Sequence, residues 1–280
     1  LSNNKVDTRL IEIAEAASFK PVAMRICNMV SSVQTRLTDI EEALSMDAVL
    51  SAKTLQVANS PFFSRGRKTE TLSHALALIG FDALRVIILS AAVHDVYQNS
   101  LDVDKNLWGH ALGVSLTASL LAKKTGLADE AVAAAAGLFH DAGKLLMRGA
   151  YPKKYAEMIE MIEGSDLTFC EAENRIFNVD HTVAGSLLAK KWNLPQDYAT
   201  VIAYHHGNPS GAPLTKNERR LCGIIAIADE IAFFFGIGLK RKTDVFRLPY
   251  RELGMTEDGF KALVWEINDI YEEYVNSLTF

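Results

Sequence analysis

Apolar residues recur at helical spacing along almost the whole chain. Val6, Leu10, Ile13, Ala14 and Ala17 form a first stripe, after which Pro21 restarts the chain. Thr38-x-x-Glu41 reads as a capping box, Gly80 as the end of a helix over 72–80, and Asp82 as the cap of the next. The pattern then predicts an apolar helix from Leu107 to Leu121 and a second running from Asp129 to Met147. Asp180 is placed to cap a helix carrying Val183, Leu187, Leu188 and Trp192, which stops near Asn193-Leu194-Pro195. A further helix begins at Pro195 and ends at Gly207, a start and stop that suit proline and glycine. Phe260, Leu263, Val264, Ile267, Ile270, Tyr271, Tyr274 and Val275 make a last stripe between Thr256 and Leu278, read as core packing rather than a partner surface. The expected fold is all-α, a multi-helix bundle. The polar stretch Gln98 to Asn106 divides it into an N-terminal helical lobe, residues 1–100, and a second lobe, residues 101–280.

With 280 residues and 49% apolar content, the chain can bury a substantial core as one broad domain or two closely associated ones. Its longest apolar run is broken by Asp229-Glu230, so no membrane span is expected. The start at Leu1 suggests that an initiating residue is missing, and the first residues lack the apolar centre of a signal peptide. Cys27, Cys170 and Cys222 are an odd, scattered set that suits a reducing compartment; a cytoplasmic location is the expectation. A formal charge of −5 disfavours nucleic acid as a partner, and the basic clusters Arg65-Gly66-Arg67-Lys68 and Lys240-Arg241-Lys242 read as solvated loops. No glycine-rich phosphate loop, dinucleotide fingerprint or nucleophile elbow is present.

The chemistry concentrates in His110, His140, Asp141, His181, His205, His206 and Asp229, which include five of the seven histidines. Most stand in otherwise apolar helical stretches, where an imidazole or carboxylate costs several kcal/mol unless it is paired or bound to metal. A shared metal site satisfies them together, and imidazole with carboxylate suits iron, manganese, zinc, nickel or cobalt. Lys144 lies three and four residues after Asp141 and His140, so a continuous helix sets all three on one face. Each residue has a plainer reading. A lone histidine in an apolar helix is more often a hydrogen-bonded core residue, and a histidine pair at a helix end favours the helix dipole. Lys144 can be a snorkelling surface lysine, and Asp229 can pair with Arg219 or Arg220. His74 and His94 match no motif and are taken as ordinary helix residues.

The order His, His-Asp, His, His-His, Asp resembles the HD superfamily of metal-dependent phosphohydrolases. His140-Asp141-Ala142-Gly143-Lys144 is similar to the His-Asp-x-Gly-Lys motif of its HD-GYP branch. Two positions depart from that branch: Gly207-Asn208-Pro209-Ser210 follows the histidine pair in place of a Gly-Tyr-Pro signature, and Asn106 stands where a third-metal glutamate is expected. The segment Met46 to Phe63, the helix Leu72 to Gly80 and the following Leu84-Arg85 resemble HDOD-domain proteins, and that likeness extends over residues 20 to 215.

The resemblance implies an HD-like bundle with an N-terminal lobe. It places one divalent ion on His110, His140, Asp141 and Asp229 and a second on His181 with one or both of His205 and His206. Asp141 would bridge the ions, with Asp141 and Lys144 as the catalytic residues. It implies a small phosphorylated substrate or nucleotide for an enzyme. For a bacterial signalling module it implies instead a protein partner on the N-terminal lobe, because HDOD domains often look like HD enzymes with eroded ligands. A redox-active di-iron centre is a third option. Asp180 is expected to orient His181 from outside the ligand set.

Overall fold

The computed structural model describes residues 8–16, 25, 26, 29, 34–59, 64, 68–80, 84, 88, 105–163, 165–192, 194–207, 210–237 and 249–278. Asp82, Cys27, His94, the stretch 98–104 and the basic residues at 65–67 and 240–242 lie outside the described residues. The fold is all-α. The helices are α1 (Thr8–Ala16), α2 (Leu37–Ser45), α3 (Ala48–Ala58), α4 (Lys105–Thr125), α5 (Glu130–Phe139), α6 (Ala142–Ala150), α7 (Pro152–Glu163), α8 (Phe169–Phe177), α9 (His181–Lys191), α10 (Gln196–Tyr204), α11 (Lys216–Phe234) and α12 (Glu257–Leu278). Residues 72–80 are also helical, and Gly80 adopts a left-handed φ of +74°.

The antiparallel pair α4 and α5 is the spine, with α10 and α11 packed on it, α12 against α4, and α6 held by α9. The α4–α5 pair is close because Gly137 lacks a side chain: a Cβ there would stand 2.9 Å from the Val114 carbonyl oxygen. One apolar core joins Leu10 and Ala14 of α1, Leu50 and Val57 of α3, Val114 and Leu121 of α4, Ile224 and Ile231 of α11, and Phe260 and Val264 of α12. Helix α1 reaches across to pack on α6 and α9. The final stripe is core, as expected for Phe260, Leu263, Val264 and Ile267, whereas Trp265 on the opposite side is exposed.

In the N-terminal part, Asp47 caps α3 by accepting from Leu50 N at 3.0 Å. At the other end of α3 the Asn59 amide accepts from Thr69 N and donates to Thr69 O, both at 2.7 Å. It thereby imitates a strand partner and ties the end of α3 to the segment ten residues on. The capping box at α2 is set differently from the sequence expectation. Arg36 is the N-cap and Asp39 reaches back to its N–H at 3.1 Å, because the helix starts one residue before Thr38.

The helix expected over 129–147 is two helices. Asp129 caps α5, accepting from Val132 N at 2.9 Å. The chain leaves the helix at Asp141 (φ −99°, ψ 14°) and α6 begins at Ala142. His140 and Asp141 therefore occupy a buried turn rather than a helix face. Gly143 explains why the turn sits where it does. A Cβ on it would collide with the His181 carbonyl oxygen and stand 2.5 Å from Gly185 N, so glycine lets the start of α6 lie against the start of α9. Among the described residues no helix is long and apolar enough to cross a membrane.

Candidate metal centre

Five segments of the chain bring the polar residues to one place. His110 projects from the first half of α4, His140 and Asp141 from the α5–α6 turn, His181 from the first position of α9, and Asp229 from α11. His205 is the C-cap of α10, and His206 follows it. Asp180 caps α9 through Thr182 N at 3.1 Å and Val183 N at 3.3 Å, which fixes the backbone that carries His181. All seven sequence candidates meet here. His206 alone is exposed; the other six are at most 3% exposed.

Each buried ring is tied on its outer edge. His110 Nδ1 pairs with Ile237 O at 2.9 Å, His140 Nδ1 with Gly137 O at 2.7 Å and His205 Nδ1 with Val201 O at 3.0 Å. A carbonyl oxygen only accepts, so each Nδ1 carries the hydrogen and each Nε2 turns a lone pair inward. His181 Nδ1 donates to Glu173 Oε2 at 2.6 Å, and the same oxygen accepts from the His181 backbone N–H at 2.9 Å.

The inward atoms face two carboxylates. Asp141 Oδ2 lies 3.2 Å from His140 Nε2 and 3.6 Å from His110 Nε2, while its Oδ1 lies 3.3 Å from His181 Nε2 and 3.7 Å from His205 Nε2. Asp229 Oδ1 is 2.8 Å from His110 Nε2 and 3.6 Å from His140 Nε2. With their hydrogens on Nδ1, these contacts bring lone pairs together with no proton between them. His181 Nε2 and His205 Nε2, 3.4 Å apart, are the plainest case. His110 Nε2, His140 Nε2, Asp141 Oδ1 and Asp229 Oδ1 are buried without a hydrogen-bond partner. Orphaned acceptors converging in this way fit a divalent cation, whose ligands are deprotonated and anchored from behind. The potential ligand atoms form a group of Asp141, His181, His205 and His206 and a group of His110, His140 and Asp141, with Cys170, Glu173 and His181 as a third.

Lys144 is buried, not a surface lysine. Its Nζ sits 2.5 Å from Asp141 Oδ2 and 4.1 Å from the centroid of the Phe169 ring. Asp229 does not pair with Arg219, whose guanidinium donates to Leu214 O. Burial opposes ionisation of both aspartates, yet His140 and Lys144 hold Asp141 well below the usual carboxylate range, and His110 and His140 do the same for Asp229. Burial works against charge on His140, but Asp141 and Asp229 overcome it and push its pKa up to about 10. That lone pair therefore takes up either a proton or a cation. His181 is held well below the ordinary histidine value by burial and the Lys144 charge, leaving a neutral ring suited to ligation.

Glu173 was not singled out by the sequence. The orienting carboxylate behind His181 is Glu173 rather than Asp180, which is committed to the α9 cap and to Asn174 Nδ2 at 3.0 Å. Burial pushes Glu173 up to about 8, partly offset by Lys144 and the His181 backbone N–H. The available signal was its position within the α8 stripe of Phe169, Ala172 and Ile176, where an acid is out of place.

Residues 16–208 match the HDOD domain family. The chain belongs to that family. An uncharacterised protein of Treponema pallidum (strain Nichols) is 28% identical over 189 residues, covering 66% of this chain and 36% of the relative, so this chain spans about a third of that protein. The crystal structure of an HDOD domain protein of unknown function from Geobacter sulfurreducens is 26% identical, covers 98% of both chains and superposes with a TM-score of 0.79. A Shewanella amazonensis SB2B protein, named as a candidate phosphohydrolase, shares the fold at 21% identity, with 97% of this chain and 98% of that one covered and a TM-score of 0.74. In this HDOD chain the cluster is reached by a cavity of about 300 Å³, lined by His205, His206, Asp229, Ile227, Glu230 and Glu252 among others.

Proposed function

We propose that this HDOD protein holds two divalent ions on the two sides of Asp141 and hydrolyses a phosphate ester, of the nucleotide or signalling-nucleotide class. The observation that carries the reading is the convergence of four inward Nε2 atoms on two ionised, buried carboxylates. His110, His140 and Asp229 with Asp141 Oδ2 would hold one ion, and His181, His205 and His206 with Asp141 Oδ1 the other. Bound divalent ions supply a water of lowered pKa and neutralise phosphoryl oxygens.

The chain's own residues supply the rest. Outer hydrogen bonds fix the four buried rings so that no rotation is needed for them to bind. Lys144 adds a positive charge that no solvent screens, so a centre holding Asp141, Asp229, Lys144 and two dications carries an excess of positive charge and attracts an anion. His205, His206 and Asp229 are the cluster residues that line the cavity, so a substrate arrives from the α10–α11 side. The name of the Shewanella protein points to the same activity.

Metal content per chain by elemental mass spectrometry tests the reading, comparing the purified protein with a folded Asp141→Ala variant. About two equivalents lost in the variant supports a bridged pair. No uptake of iron, manganese, zinc or nickel, even after anaerobic reconstitution, sinks the enzyme.

One observation favours a regulatory module as the second reading. The cavity carries Glu230 and Glu252, and among the described lining residues there is no lysine or arginine. That wall disfavours a polyanion and suits a protein that binds metal without turning over ester, contacting a partner through its N-terminal lobe. A loaded protein inert towards a panel of phosphate mono- and diesters supports it.

A further inference from the structure

Glu173 leaves one oxygen unexplained. Its Oε2 accepts two hydrogen bonds from His181, but Oε1 is fully buried with no partner, a costly arrangement for a group that is 0% exposed. A buried cation stands in the same pocket: the Lys144 ammonium interacts electrostatically with Glu173 as well as with Asp141 and Asp229. Its path is also set out. Nζ lies over the ring of Phe169, and Phe169 and Glu173 are four residues apart on α8, hence neighbours on one face. An aromatic face is a favourable surface for an ammonium to cross.

Resting on the two-ion reading above, we infer that Lys144 is a resident cation with two stations: Asp141 Oδ2, where it stands in this structure, and Glu173 Oε1 once metal occupies the inner ligands. On Asp141 the ammonium balances a carboxylate that would otherwise be buried beside unpaired acceptors. On loading, the same carboxylate oxygen gains a dication, and the ammonium is repelled from it at close range. Glu173 receives it, which satisfies the orphaned oxygen and keeps the charge inside the site. Glu173 is thus a positioning residue twice over, for His181 through Oε2 and for Lys144 through Oε1. A lysine fixed on Asp141 in both states would leave Glu173 Oε1 without a function.

The test is a double-mutant cycle on metal affinity, in the full chain, with Zn²⁺ titrated against a fluorescent chelator. The variants are Lys144→Met, Glu173→Gln and the pair. Glu173→Gln keeps an acceptor for His181 and weakens binding through that ring whether or not Lys144 is present, so this part cancels in the cycle. A transfer between stations couples the two residues more strongly in the loaded state than without metal, and the dissociation constants are expected to depart from additivity by about tenfold. Additive effects overturn the transfer, because a lysine that does not move interacts with Glu173 equally in both states. Should a variant fail to fold, a crystal structure of the zinc-loaded unsubstituted chain decides: Nζ within hydrogen-bond distance of Glu173 Oε1 supports the inference, and Nζ still on Asp141 Oδ2 overturns it. Absence of zinc uptake by the unsubstituted protein overturns the metal reading itself and this inference with it.

Discussion

The two oxygens of Asp141 meet different walls. On the Oδ2 side, His110 and His140 hang from main-chain carbonyls at Ile237 and Gly137, Asp229 closes the far side, and every ring is buried. On the Oδ1 side, His181 is held by the side chain of Glu173, His205 by Val201 O, and His206 stands exposed with its ring 4.1 Å from that of His205. The first half is fixed by backbone and closed; the second depends on a side chain and opens to solvent. In the proposed two-ion centre, a closed half built from backbone anchors would retain its ion, whereas the open half would be where an ion exchanges and a ligand enters.

Removing the shared residue gives the largest expected effect on this contrast. Asp141→Ala should empty both halves, while Asp229→Ala should empty the inner one and leave about one equivalent per chain. Equal losses in the two variants, read by elemental mass spectrometry, would erase the distinction between halves.

Gly143→Ala comes next. Its methyl group would strike the His181 carbonyl and push α6 from α9, separating the turn with Asp141 from the ring that faces it. The expected cost is about 3 kcal/mol. Thermal unfolding checks it, and a Tm within a degree or two of the unsubstituted protein would show that the two helix starts are not tightly apposed.

The pH dependence of the metal-stripped chain isolates the inner half. His140 has a folded pKa of about 10 against 6.5 in the unfolded chain, so its contribution is full below 6.5 and is lost as pH rises towards 10. Asp141 and Asp229 are depressed, so their contribution is present above 3.8 and is lost as pH falls through their lower folded values. Denaturant midpoints should therefore fall on both sides of a plateau. Metal competes with the proton on His140, so affinity at the inner half should weaken as pH falls below 10. An affinity flat between pH 6 and 9 would contradict the proton assignment.

His206→Ala should be the mildest change. An exposed ring contributes within about 0.5 kcal/mol to stability, so unfolding is expected to be unchanged. Outer-ion affinity should fall and the inner ion remain. Loss of both ions would make His206 part of a single indivisible site.

Helical periodicity, the Asp180 cap, the proline start at α10 and the final apolar stripe were legible along the chain because they depend on neighbours within a turn or two. The seven metal-capable residues were legible as well, since acids and imidazoles among Ala133, Leu138, Val114 and Ile227 stand out by composition. The break at Asp141 was not: α5 and α6 have continuous helical spacing, and what ends the first helix is the Gly143 contact with α9, a chain segment some forty residues away. Glu173 was missed for the same reason, its partner being the ring of His181 across a helix junction.

By itself the sequence determined an all-α bundle, a set of metal-capable residues in a recognisable order and a glycine after the His-Asp pair, because local spacing and residue chemistry are written directly in it. Only the tertiary structure decided which ring edge points inward, which carboxylate stands behind His181 and where Lys144 lies. Those depend on packing between distant helices, where burial fixes tautomer, partner and charge together.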